Sequence, residues 1–262
     1  MPIVYAILVM SALGAVFGAI LSFADKKFEV PVDEKVQKIR DNLSGANCGA
    51  CGFPGCDAFA EAVAKGEAPV DGCTPGGKKS ADAIAAIMGV TVETGAKKVA
   101  RVLCQGEKGV ANERFDYSGV ESCMAASAFA GGPKECQYAC LGFGDCEKVC
   151  VFDAIEITDG LARINPDKCT ACGMCVEACP RNIIELLPAA SKVMVLCSSL
   201  NNAKTTRVSC TKGCIGCKRC EKACEFDAIH VENFLAKIDT DKCTNCKACV
   251  EVCPVKCIVA ED

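Results

Sequence analysis

Lys168-Cys169-Thr170-Ala171-Cys172-Gly173-Met174-Cys175-Val176-Glu177-Ala178-Cys179-Pro180 decides how this chain folds. Its cysteines follow C-x2-C-x2-C-x3-C-P, the spacing in which three thiolates close on one cubane iron–sulfur cluster and the fourth reaches a second. The same run returns at Cys243-x2-Cys246-x2-Cys249-x3-Cys253-Pro254. Zinc sites instead pair C-x2-C units across a linker, so triplets with a crossing fourth cysteine point to iron and sulfide.

Working outward, Cys150 to Ile184 aligns with Cys224 to Ile258 at an offset of 74 residues, with 19 of 35 positions identical. Phe152-Asp153-Ala154-Ile155 recurs as Phe226-Asp227-Ala228-Ile229. Upstream of each half stand more cysteines: Cys136-x3-Cys140-x5-Cys146-x3-Cys150, and Cys210-x3-Cys214-x2-Cys217-x2-Cys220-x3-Cys224. The chain therefore carries an internal repeat of two tandem ferredoxin modules of the bacterial two-cluster type. Ile155 to Ile157 and Leu161 to Ile164 read as a β-hairpin around Asp159-Gly160, which makes each module a small α+β unit.

The repeat has one departure. Phe143 stands where the second module has Cys217, so the first module lacks a middle cysteine. Cys136, one short turn away, is the expected substitute. The expected ligand sets are Cys136, Cys140, Cys146 and Cys179; Cys150, Cys169, Cys172 and Cys175; Cys214, Cys217, Cys220 and Cys253; and Cys224, Cys243, Cys246 and Cys249. Cys210 aligns with Cys136, so either Cys210 or Cys217 is the ligand and the other is spare. Cys104, Cys123, Cys197, Cys210 and Cys257 are left over. Val102-Leu103-Cys104 and Val195-Leu196-Cys197 look like matching strand ends. Free buried cysteines act as small hydrophobes; an extra cluster drawing on Cys104, Cys123, Cys197 and Cys210 is the other reading.

A further group lies nearer the N-terminus: Cys48-x2-Cys51-x4-Cys56-x16-Cys73, in a Gly-rich loop. Three thiolates in a tight loop, with one returning from a distance, can surround another cubane. Apolar spacing predicts helices at Val32 to Leu43, Cys56 to Lys65 and Lys78 to Met88, a small helical domain around this site. Five sites of four ligands would use twenty of the 25 cysteines, giving about five [4Fe-4S] clusters. Before them, Ile3 to Ala24 contains no charged side chain, long enough for a transmembrane helix. No basic stretch precedes it and no convincing cleavage site follows. Lys26 and Lys27 follow, so the positive-inside rule puts the rest of the chain on the cytoplasmic side as a single-pass protein of the inner membrane. Thiols in that reducing compartment suit metal better than disulfides.

The organisation expected is α+β. Residues 1–27 form the anchor, 28–90 the helical 4Fe-4S domain, 91–135 a linker with β structure, 136–190 module one and 191–262 module two. Composition excludes other chemistries. His230 is the one histidine, and no C-x-x-C-H occurs, which rules out haem, a His-rich catalytic zinc site and a Ser-His-Asp triad. The net charge of −4 gives no global attraction to nucleic acid. No G-x-G-x-x-G follows a strand and no P-loop is present, so no NAD, flavin or nucleotide site is expected in this chain. Basic clusters at Lys78-Lys79, at Lys97-Lys98 with Arg101, and at Lys212 with Lys218-Arg219 would suit an acidic electron carrier.

An apolar anchor, then Asn47-Cys48-Gly49-Ala50-Cys51-Gly52-Phe53-Pro54-Gly55-Cys56 with Cys73, then ferredoxin modules, strongly resembles the B-subunit family of Rnf complexes across essentially the whole chain. The resemblance implies a subunit of a membrane-bound ferredoxin:NAD oxidoreductase that translocates Na+ or H+. It further implies that this subunit takes electrons from reduced ferredoxin and relays them towards the other subunits in the membrane and their flavins, with NAD handled elsewhere. The rival is an iron–sulfur subunit of a hydrogenase or formate dehydrogenase. The anchor and the Cys48 to Cys73 group count against it.

Overall fold

The computed structural model describes residues 2–27, 33–92 and 95–261. α1 (Pro2–Lys27) is a single helix of 26 residues, about 39 Å long at 1.5 Å per residue. Its window Ile7–Ala24 has a mean hydropathy of 2.3 and buries nothing against the rest of the chain. It is long and apolar enough to cross a membrane.

A helical domain follows. α2 (Glu34–Asp41) begins at Asp33, whose side chain accepts a hydrogen bond from the Lys35 N–H. Val32, the expected start, lies outside the described residues. α3 (Cys56–Lys65) matches its expected range and ends on left-handed Gly66. A short 3-10 turn (Thr74–Gly76) leads into α4 (Gly77–Met88), which ends on left-handed Gly89. Ile39, Phe59, Val63 and Ile84 are fully buried between these helices.

The remainder holds two copies of one plan. In the first, β1 (Lys98–Val102) is followed by α5 (Cys123–Ala128), α6 (Asp145–Lys148), β2 (Ile155–Thr158), β3 (Leu161–Ile164), α7 (Met174–Ala178) and β4 (Ile184–Pro188). In the second, β5 (Val193–Val195) precedes α8 (Ala203–Ser209), α9 (Arg219–Ala223), β6 (Ile229–Glu232), β7 (Leu235–Ile238), α10 (Ala248–Glu251) and β8 (Ile258–Ala260). The hairpins β2–β3 and β6–β7 are antiparallel, and β1 closes on β4 as β5 closes on β8. β1 lies in the stretch expected to be a linker, yet Val102 pairs opposite Ile184 within the first module.

The hairpin turns repeat as well. Asp159 and Gly160, like Asn233 and Phe234, all have positive φ, the geometry that matches a two-residue turn to the twist of its strands. The two cores correspond residue by residue: Ile155, Leu161, Ala162 and Ile184 in one, Ile229, Leu235, Ala236 and Ile258 in the other, each packed around cysteines.

The modules are tied to one another. Gln105 Nε2 donates to the Lys256 carbonyl at 3.0 Å, and Ser198 Oγ to the Leu103 carbonyl at 2.9 Å. Arg101 is buried and forms a two-pronged pair with Glu261, at 2.9 and 2.7 Å. Arg101 is thus a clamp between β1 and the end of β8, not part of a docking patch as its place beside Lys97-Lys98 suggested. Glu261→Ala would leave this guanidinium buried without its carboxylate. Breaking a fully buried pair costs about 3–5 kcal/mol; Glu261 is itself partly exposed, so about 1–2 kcal/mol is expected here. Amides of β5 and β8 should then exchange hydrogen roughly tenfold faster; unchanged exchange would refute the clamp.

Candidate functional site

The cysteines gather around cavities. Cys48, Cys51, Cys56 and Cys73 line a recess of about 280 Å³, open in part to solvent, with Phe59 and Pro75. The loop reaches this shape through positive φ at Asn47, Gly49 and Gly52. The Asn47 side-chain carbonyl accepts the Cys56 N–H at 2.8 Å, which fixes the loop against the start of α3. All four residues expected here are brought together.

Cys150, Cys169, Cys172 and Cys175 ring about 330 Å³, and Cys224, Cys243, Cys246 and Cys249 about 340 Å³. Backbone donors repeat between the two: Ala154 N–H points at Cys150 Sγ and Ala228 N–H at Cys224 Sγ, both at 3.4 Å. Ala100 N–H in β1 adds a bond to Cys169 Sγ at 3.4 Å. N–H donors stabilise thiolate sulfur and tune a cluster bound to it.

Cys214, Cys217, Cys220 and Cys253 also fall together. Cys214 and Cys220 are buried in the core of the second module with Cys253 packed against it, and Cys217 lies near enough to Cys220 for its thiolate to oppose ionisation there. Cys217 and Cys246 are exposed. Cys257 is almost fully buried, 3.7 Å from Cys253 Sγ, at the position that Ile183 occupies in the first module. As a shared S–H donor it draws Cys253 down to about 5 and Cys214 to about 6, and its own pKa is pushed up.

The first module departs from expectation at Cys136. The cavity beside Cys140, Cys146 and Cys179, about 340 Å³, is completed by Cys123. The cause is local. Ser122 caps α5 by accepting the Ala125 N–H. The Asp145 carboxylate accepts from Ser122 Oγ at 2.8 Å and Met124 N–H at 3.0 Å, which pins the start of α5 to the start of α6. Burial opposes ionisation of Asp145, but these bonds prevail and hold its pKa below the usual carboxylate value. Phe143, in the place of the missing cysteine, packs edge-on against Tyr117 with ring centres 5.2 Å apart. Cys136 faces another cavity, with Cys104, Cys197 and Cys210.

The donor set suits a [4Fe-4S] cluster. Among the described residues no three His, Cys, Asp or Glu side chains converge closely enough for a single metal ion; the thiols stand around open spaces instead. Two buried donors there lack a protein partner, Arg181 Nε at the Cys123 cavity and Thr170 Oγ1 at the Cys150 cavity, and cluster sulfides are acceptors. Burial pushes Cys146 and Cys175 up to about 12, and Cys220 and Cys249 to about 11. Such thiols stay protonated at neutral pH unless a cation faces them, and the iron of a bound cluster would supply that charge.

Comparison with known proteins agrees with this chemistry. The family model FeS, for an Fe-S cluster, matches residues 43–75. A 4Fe-4S binding domain matches 162–185, and a 4Fe-4S dicluster domain 208–260. The chain is 49% identical to the B subunit of the Na(+)-translocating ferredoxin:NAD(+) oxidoreductase complex of Acetobacterium woodii, over 95% of this chain and 75% of that one. It is 41% identical to the B subunit of the ion-translocating oxidoreductase complex of Methanosarcina acetivorans, over 98% and 97%. It is also 41% identical to the B subunit of the proton-translocating ferredoxin:NAD(+) oxidoreductase complex of Clostridium ljungdahlii, over 98% and 92%. Anchor-like helix, thiol-ringed cavities and near-full-length identity agree: the chain belongs to the B-subunit family of the ion-translocating oxidoreductase (Rnf) complexes.

Proposed function

We propose that this chain accepts electrons from reduced ferredoxin and relays them to membrane and flavin subunits of an ion-translocating ferredoxin:NAD oxidoreductase. The observation that carries the reading is the series of cavities ringed by four cysteines each, spread along both modules and the helical domain. A bound [4Fe-4S] cluster supplies one-electron exchange with little rearrangement. The residues hold, space and insulate. Cys48, Cys51, Cys56 and Cys73 would bind one cluster. Cys123, Cys140, Cys146 and Cys179 would bind the next, in place of the set built on Cys136. Cys150, Cys169, Cys172 and Cys175, then Cys214, Cys217, Cys220 and Cys253, then Cys224, Cys243, Cys246 and Cys249 would bind the others.

Because Cys179 and Cys253 each leave their own run for the partner site, the two sites of a module are covalently adjacent. α1 would cross the membrane once, with the modules on the cytoplasmic side, where reduced ferredoxin is found. NAD and flavin chemistry would lie on partner subunits.

The test uses the full chain, purified without air in its membrane complex. Reduced ferredoxin should bleach its visible iron–sulfur absorbance and produce low-temperature EPR signals. A chain that stays oxidised in excess reduced ferredoxin would refute the reading.

A further inference from the structure

One cavity remains outside this assignment. Cys104, Cys136, Cys197 and Cys210 line a space of about 350 Å³, the size class of the other four-cysteine cavities, which span about 280 to 340 Å³. Its cysteines come from four separate segments: just past β1, the loop before α6, just past β5, and the C-cap of α8. Two belong to each module. The cavity therefore lies on the seam where Gln105, Ser198 and Arg101 tie the modules together.

The internal repeat accounts for the ring. Cys136 and Cys210 stand 74 residues apart, the offset of the whole repeat. Cys104 and Cys197 end the matching Val-Leu-Cys segments after β1 and β5. Their sulfurs receive equivalent backbone bonds. Gly106 N–H points to Cys104 Sγ at 3.2 Å, and Ser199 N–H to Cys197 Sγ at 3.5 Å, each two residues on. Cys140 N–H then points to Cys104 Sγ at 3.5 Å, and Cys214 N–H to Cys197 Sγ at 3.3 Å; 140 and 214 are again 74 apart. Thiols serving only as small hydrophobes have no use for paired N–H donors. A Cβ on Gly106 would stand 3.2 Å from Cys104 Sγ and 3.0 Å from the Ala111 Cβ, so the wall is kept small where it meets the thiol.

We propose that Cys104, Cys136, Cys197 and Cys210 hold a sixth [4Fe-4S] cluster that joins the two ferredoxin-like modules. The proposal rests on the reading that the other thiol cavities hold cubanes. Loading forms four Fe–S bonds and releases the thiol protons. The site is one N–H···S bond from Cys140, a ligand on one side, and one from Cys214, a ligand on the other. It accounts for 24 of the 25 cysteines as ligands and leaves Cys257 alone as a free thiol.

Iron and acid-labile sulfide are to be counted on the full chain prepared without air. About 24 iron atoms per chain are expected, four for each of six sites. Cys104→Ala and Cys197→Ala should each remove about four, and the double variant the same four, since they share one site. Cys104→Ala with Cys123→Ala should remove about eight, because those thiols serve different sites. A wild-type count of about 20, with Cys104→Ala and Cys197→Ala unchanged, would overturn the sixth site and leave five clusters standing. A chain that holds no iron would overturn both readings. If the variants fail to fold, integration of EPR spins in the fully reduced wild type decides, with six centres for the proposal and five against it.

Discussion

Stripped of iron by a chelator, residues 98–261 are expected to lose their ordered structure, while the helical domain at 33–89 loses less. Each sheet in the modules has two strands, and a lone two-stranded hairpin is marginal in water. Their helices span only four to seven residues, well below the length at which a helix holds itself. The two cores contain cysteines where other domains place large side chains: Cys140, Cys146 and Cys175 in one, Cys214, Cys220 and Cys249 in the other. Without a cluster those thiols border cavities, and cavities in a core are costly. Metal-binding free energy is then folding free energy. The helical domain differs because Ile39, Phe59, Val63 and Ile84 pack on one another. Hydrogen exchange before and after chelation checks this. Protection over β1 to β8 that survives iron removal would defeat the argument.

Gly142→Ala should be the most damaging single methyl group added to the first module. Gly142 has φ +76°, and a Cβ there would collide with the Gly160 carbonyl oxygen and stand 2.7 Å from its carbon. Those are backbone atoms of the β2–β3 turn and cannot swing aside. Left-handed backbone costs a non-glycine residue about 1–2 kcal/mol, and forced overpacking adds about 1–3; a loss of about 3 kcal/mol is expected. The equivalent Gly216 (φ +63°) would meet Phe234 Cα at 2.9 Å, a looser approach. Gly216→Ala should therefore cost less. Gly142 sits between Cys140 and Cys146, so its displacement also pulls two thiolates off one site. Iron release to a chelator should accelerate far more in Gly142→Ala than in Gly216→Ala; equal rates would contradict the packing argument.

The features legible in the sequence are those whose physics is local. α3 falls at Cys56–Lys65 and the hairpin at Ile155–Thr158 and Leu161–Ile164, because apolar spacing and an Asp-Gly turn report on neighbouring residues. Cysteine spacing reports on a loop wrapped around one centre. The vacancy at Phe143 was also readable, from the repeat. The thiol that faces Cys140, Cys146 and Cys179 in its place was not. Cys123 comes from a stretch with no spacing relation to Cys140, and it is placed by Ser122 and Asp145 acting across 23 residues. Proximity in sequence favoured Cys136, but tertiary structure turns that thiol to the seam between modules. The matching Val-Leu-Cys segments were visible as a pair. Their meeting required β1 to join β4 and β5 to join β8, pairings between strands more than 60 residues apart. Arg101 looked like surface charge for the same reason: its partner Glu261 lies 160 residues away.

The exposure of Cys217 and Cys246 has a consequence for how the molecule wears out. Both sit in the second module, and no other cysteine is as open to solvent. Dioxygen and peroxide attack accessible sulfur first, so corrosion should begin at that end and advance inward, with the Cys104 thiol, screened by both modules, among the last to be lost.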